Sequence, residues 1–197
     1  MKTWSHCGTL ALAVGFGLAV ASPVRAQKKE AAPYRRGFWI SFGVGYGSAA
    51  MTCSSCRNDR RLGSSVGTLR LGGTLSDHLL LGGEVDAWNR SRSGVTETVG
   101  DGSVALYYYP WATGTVFLKT GVGAVVYNAT TSPTVDAEGS GVSLGVGMDL
   151  YVGRTFSLTP FIDFVTAVSG NLKIEGMDTG VRVRPNLLQV GVAVTWH

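Results

Sequence analysis

The last eleven residues of the chain, 187–197, separate cleanly at a period of two. Leu188, Val190, Val192, Val194 and Trp196 fall on one face, and Leu187, Gln189, Gly191, Ala193 and Thr195 on the other. Successive side chains of a strand point to opposite sides, so this is a strand with one apolar and one small, mixed face. The same alternation returns upstream at 37–48, 64–74, 79–88, 101–109, 115–127, 141–151 and 155–167. No helix-period stretch interrupts it after the first 26 residues. Glycine, at 28 of 197 residues, is about twice as frequent as usual. Much of it sits at every second position inside a strand, as at Gly43, Gly45 and Gly47. With no helix behind it, that run is no nucleotide loop; it gives room inside a tight barrel.

Charge tells the two faces apart. Arg70, Glu84, Asp86, Lys119, Asp149 and Asp163 all fall on the face opposite the aliphatic one, and the aliphatic faces carry no charge. A water-soluble barrel would turn the aliphatic faces inward. Here they are read as lipid-facing, with the six charges in the barrel interior. A turn centred on Asp77 places Arg70 opposite Glu84, a favourable cross-strand pair. Exchanging these two residues is then expected to be better tolerated than reversing either alone.

Connections alternate between tight turns (76–78, 110–114, 152–154) and polar segments of ten or more residues (49–63, 89–100, 128–140, 168–184). In lipid every backbone polar group must be paired, so an all-β chain spans only as a closed barrel. The expected fold is therefore all-β: a closed eight-stranded antiparallel transmembrane β-barrel with short periplasmic turns and long extracellular loops. Phe38, Tyr108, Phe156 and Trp196 then form a lipid-facing aromatic girdle at the periplasmic rim. Pro160 is the one misfit, removing a ladder donor in mid-strand.

The first residues are a targeting segment. Lys2 precedes an apolar run from Leu10 to Ala21, too short to span a bilayer, and Val24-Arg25-Ala26 offers a cleavage site. Residues 1–26 are read as a signal peptide, 27–36 as a periplasmic lead-in and 37–197 as the barrel domain, placed in the bacterial outer membrane. Removing Lys2 and Arg25 from the 17 basic residues leaves 15 against 13 acidic ones. That small excess implies no nucleic-acid partner.

The signal segment, the eight alternating strands and the terminal aromatic strand together resemble small bacterial outer-membrane barrels of the OmpA-transmembrane, OmpX and OmpW type. The resemblance implies insertion by the outer-membrane barrel assembly machinery, which reads a terminal aromatic residue. Here Trp196 is penultimate and His197 last. Similarity to the OmpW type also implies, as an alternative function, a narrow channel for small hydrophobic molecules.

Candidate sites are few. Cys53 and Cys56 form a single CxxC in the first long connection, read as a loop disulfide in an oxidising compartment; metal or redox chemistry is the competing reading. Arg57, Arg60, Arg61, Arg90, Arg92, Arg182 and Arg184 form an external basic set able to meet lipopolysaccharide phosphates, or merely to be solvated. After the signal segment the only histidines are His78, in a turn, and His197, neither near a serine and acid at the outer leaflet, so no catalysis and no cofactor is expected. The inner charges, with Trp88, Tyr107, Tyr109, Phe117 and Tyr151 as bulk, are read as a plug, because eight strands enclose little more than side chains. The expected role is structural or surface interaction by a monomer among outer-membrane lipids and lipopolysaccharide. Loop-mediated adhesion is a further alternative.

Overall fold

The structure, a computed structural model, describes residues 35–53, 61–153 and 155–197. The segment 1–26, residues 27–34, Cys56, Arg57, Arg60 and Arg154 lie outside the described residues. The strands are β1 (Phe38–Cys53), β2 (Leu62–Ser76), β3 (Leu79–Arg92), β4 (Val95–Tyr108), β5 (Val116–Thr130), β6 (Val135–Met148), β7 (Leu150–Tyr151), β8 (Phe156–Ile174) and β9 (Met177–Trp196). β7 continues β6 after Asp149, so the segments make eight antiparallel staves. β1 pairs with both β2 and β9, and β6 with both β5 and β8, which closes the sheet and leaves no free edge.

Partners followed from Ile40 through Leu71, Gly83, Val104, Val122, Val142, Thr166 and Asn186 return to Ala50, ten residues further along β1. Eight staves with that stagger tilt by roughly 40° to the barrel axis. The apolar alternation points outward. Phe42, Val44, Val104, Val122, Leu144, Ile162 and Val190 are exposed on the outer wall, whereas Arg70, Glu84, Asp86 and Lys119 are buried inside. An apolar belt of this extent marks a lipid-contacting surface.

The strands run further on the external side than the alternation of hydrophobicity does. Residues 89–92 and 95–100 are strand, joined by a two-residue turn at Ser93-Gly94 (φ 52° and 79°); 168–174 and 177–184 are joined likewise at Glu175-Gly176 (φ 50° and 78°). Positive φ at both central residues is the hairpin turn that matches strand twist. Residues 128–130 and 135–140 are strand as well. The long external connections are thus largely hairpin extensions. Above the lipid both faces meet water, so period two persists in the backbone without any apolar contrast to reveal it. Polar cross-strand pairs hold these extensions: Ser91 Oγ with Thr96 Oγ1 at 2.9 Å, Asn171 Nδ2 donating to Asp178 Oδ2 at 3.1 Å, and Lys173 on Glu138. The Glu138 carboxylate, by hydrogen bond and charge, raises the Lys173 ammonium above its ordinary pKa.

Pro160 has a place in this lattice. β6 pairs with β8 as far as Gly147 with Phe161, and β7 resumes with Leu150 opposite Leu158 in the same register. The interruption falls at Met148 and Asp149, opposite Pro160 and Thr159. Proline supplies no donor there; Asp149, inward by the same alternation as Tyr151, donates its N–H to Thr115 O at 2.9 Å and turns its side chain into the bore.

Inward glycines sit beneath large inward rings. A side chain at Gly47 would meet Trp88 Cδ1 at 2.8 Å and Leu187 Cδ1 at 2.9 Å, and one at Gly147 would meet the Phe117 ring at 2.3 Å. Gly102, on the outer wall, has nothing within 4 Å. Gly47→Val is therefore expected to lower stability by about 1–3 kcal/mol through overpacking, and Gly102→Val to be nearly silent. Urea titration of the two variants in detergent micelles reads the difference. Equal stability of both would contradict the close approach of Trp88.

Candidate functional site

The interior is a stack of layers, because each stave contributes every second residue to the bore. Toward the external end lies an apolar layer of Val66, Trp88, Val99, Val125, Val165 and Leu187, none more than 3 % exposed. Trp88 is fixed by its indole nitrogen, which donates to Gly47 O at 3.0 Å. Above this layer the bore opens into a cavity of about 490 Å³.

Below it is a four-membered ring of charge. Arg70 Nη2 meets Asp163 Oδ2 at 2.5 Å, Lys119 Nζ meets the same oxygen at 2.9 Å, and Lys119 also bonds Glu84 Oε1. Arg70 Nε lies 3.2 Å from Glu84 Oε2 but is not aligned for a hydrogen bond, so that edge is an ion-pair contact. β2 and β3 pair with Arg70 opposite Glu84. Tyr107 donates its hydroxyl to Glu84 Oε2 at 2.8 Å, and the Arg70 guanidinium stacks on Phe161 at 4.3 Å. Gly145 makes room for the ring: a side chain there would strike Asp163 Oδ1.

Asp86 and Asp101 sit beside this ring. Gln189 Nε2 donates to Asp86 Oδ2 at 2.9 Å, and Ser103 Oγ to Asp101 Oδ2 at 3.1 Å. Glu84, Asp86 and Asp101 have carboxylate oxygens within 4.8 Å of one another, the one such grouping among the described residues. Glu84 already serves Lys119, Arg70 and Tyr107, and two cations stand next to it. That donor set suits hydrogen bonding and ion pairing better than an added metal ion.

An aromatic layer follows. Trp39 meets Tyr107 edge-on at 5.1 Å, and Tyr107 and Tyr109 each contact Phe117, at 5.5 and 5.4 Å. The space among these rings, Arg70 and Asp149 is about 20 Å³, room for about one water. At the periplasmic end Asp149 accepts from the Tyr109 hydroxyl at 2.7 Å and from Thr159 Oγ1 at 2.8 Å. Arg35 closes this mouth: its guanidinium covers the Tyr109 ring at 3.5 Å and donates to Gly114 O.

The six charges singled out in the sequence lie inside the bore, none more than 3 % exposed. They divide into two groups, since Asp149 belongs to the periplasmic end and the other five to the middle. Sequence reasoning passed over Asp101, Gln189 and Arg35. Asp101 is in phase with the inward Ser103, Ala105 and Tyr107, and Arg35 with Trp39, so period two carried the signal for both.

Phe38, Tyr108, Phe156 and Trp196 are all exposed on the outer wall, with the Phe156 and Trp196 rings 5.5 Å apart. His197 turns inward, and burial lowers its pKa. The serine that meets a histidine is at the periplasmic end, not the outer leaflet: Ser157 Oγ lies 3.1 Å from His197 Nε2. The chain end folds back because His197 N donates to Thr155 O at 3.0 Å. Ser157 is 1 % exposed, and no carboxylate bonds the other ring nitrogen among the described residues, so the pair lacks both access and an orienting acid. His78 Nδ1 sits 2.8 Å from Tyr109 O.

Cys53 is disulfide-bonded; Cys56, its expected partner, lies outside the described residues. Of the external basic set, Arg61, just before β2, bonds Ser48 O of β1 at 2.6 Å and Asn186 Oδ1 of β9 at 2.8 Å. Arg90 pairs with Glu97. Arg92, Arg182 and Arg184 are exposed.

No protein-family model matches the chain, and no curated protein matches it. Among solved structures it is similar to Neisserial surface protein A, with 17% identity and a TM-score of 0.51 over 80% of this chain and 96% of that one. It is also similar to the outer membrane protein OprG from Pseudomonas aeruginosa, at 9% identity and TM-score 0.49, covering 85% of this chain and 100% of that one. For Ail, the attachment invasion locus protein of Yersinia pestis, the values are 13% and 0.47, covering 80% and 99%. The chain has the fold of the small eight-stranded outer-membrane barrels.

Proposed function

We propose that this chain is a non-catalytic integral protein of the bacterial outer membrane, a sealed barrel whose role is structural and surface-directed. Residues 1–26 direct export and are cleaved, and the outer-membrane barrel assembly machinery inserts the remainder as a monomer. Membrane lipids surround the aliphatic belt, and Arg182 and Arg184 meet lipopolysaccharide phosphates through charge-assisted hydrogen bonds.

The observation that carries this reading is the double closure of the bore. An ion crossing it would have to part the Arg70, Glu84, Lys119 and Asp163 ring and then the apolar layer around Trp88, with room for about one water between the ring and the aromatics. That arrangement favours a structural barrel over a through-channel for small hydrophobic molecules. Single-channel recording in planar bilayers tests it. Wild type is expected to be silent, and Arg70→Ala/Glu84→Ala to stay closed because the apolar layer remains. Adding Trp88→Ala to that pair is expected to produce openings. Steady unitary conductance from wild type would overturn the proposal and make the protein a channel.

A further inference from the structure

The cavity of about 490 Å³ at the external end has the size of a small-molecule site. It ends blind, because Trp88 and Val99 form its floor and both are 1 % exposed. The indole is held in place by its bond to Gly47 O at 3.0 Å. Met51, Leu62 and Val95 supply apolar walls.

The polar lining is unequal in charge. Arg90 Nη1 lies 3.2 Å from Glu97 Oε2, and the Tyr127 hydroxyl donates to Glu97 Oε1 at 3.1 Å, so both oxygens of the one carboxylate among the described lining residues are engaged. Arg92 follows Arg90 on the same inward face of β3 and has no acidic partner among the described residues. Among the described lining residues the cavity therefore combines an apolar floor with one uncompensated positive charge at its rim. A ligand matching both has an apolar body and a single anionic group.

We infer that this vestibule binds a small amphipathic anion, an aromatic or short aliphatic body against Trp88 and Tyr127 with one carboxylate or sulfonate on Arg92. The site goes beyond the sealed-barrel reading and needs no passage through the bore, so conductance and binding are separate readouts.

Calorimetric titration of naphthoate, and separately of its neutral analogue naphthamide, into the folded protein in phosphatidylcholine nanodiscs tests this, with empty nanodiscs as the blank. Naphthoate is expected to bind above the blank, with naphthamide at least about tenfold weaker, the scale of a hydrogen bond to a charged group. Arg92→Gln should bring naphthoate down to the naphthamide level, and Val95→Trp should suppress both by filling the cavity. Arg182→Gln, on another hairpin, should change neither. No naphthoate signal above the blank, equal affinity for the two probes, indifference to Arg92→Gln, or full binding by Val95→Trp would each overturn the inference.

Discussion

Replacing Val192 with arginine is expected to abolish stable insertion of the barrel. Val192 faces outward in β9, between Val44 of β1 and Pro160 of β8, and is 43 % exposed on the aliphatic belt. An arginine on the lipid face at mid-depth costs about 2–4 kcal/mol. Against a total stability of about 5–15 kcal/mol for an ordinary domain, that is a large fraction. Met177→Arg is the matched control, since Met177 is 68 % exposed but sits on an external hairpin above the lipid. Folding into phosphatidylcholine vesicles, followed by the heat-dependent shift in gel mobility, reads both. Val192→Arg should run largely as unfolded chain and Met177→Arg as wild type. Equal folded fractions would mean that the aliphatic face does not meet lipid.

Glu84→Ala is expected to destabilise the barrel from within, by about 3–5 kcal/mol, the cost of leaving buried charge uncompensated. The substitution leaves Arg70 and Lys119 sharing Asp163 alone and takes the acceptor from the Tyr107 hydroxyl. Arg70→Ala/Glu84→Ala keeps the Lys119–Asp163 pair at 2.9 Å and the balance of charge. Its loss should be smaller than the sum of the two single losses, as contacting members of one network behave. Denaturant midpoints for the four proteins in micelles give the coupling; strict additivity would mean that the ring is not a unit.

The ring also changes what an exchange of Arg70 and Glu84 is expected to do. As an isolated pair the two residues would tolerate the swap. In the structure each has a second neighbour, so the swap sets a glutamate beside Asp163 and an arginine beside Lys119. Two of the four edges become repulsive although the net charge is unchanged. Recovery relative to either single reversal is then expected to be partial.

Most of the fold is legible from the alternation alone. Leu188 to Trp196 and their counterparts upstream fix which residues face out, because a strand has no other period and the belt carries no charge. The same reasoning puts Arg70 and Glu84 on one face and across from each other. It fails where contrast vanishes. In 89–100 and 168–184 polar residues meet water on both sides, and the hairpin extensions leave no apolar trace. Val99 went unread as an inner residue for the same reason, since it lies near the end of a segment taken for loop; Val66, within the strand at 64–74, shares the inward phase of Thr68 and Arg70.

The sequence by itself determined the barrel, its inside and its outside. Hydrophobic alternation and the need to pair every backbone group in lipid are local constraints that each strand satisfies separately. Tertiary structure alone decided how the interior is stacked: Arg70 with Asp163 across 93 positions, Gln189 on Asp86 across 103, and Thr195 on Ser41 across 154. Those meetings depend on the ten-residue stagger of closure, which sets the height at which each stave's inward residues arrive. Stagger is a property of the whole ring of strands, and no single strand encodes it.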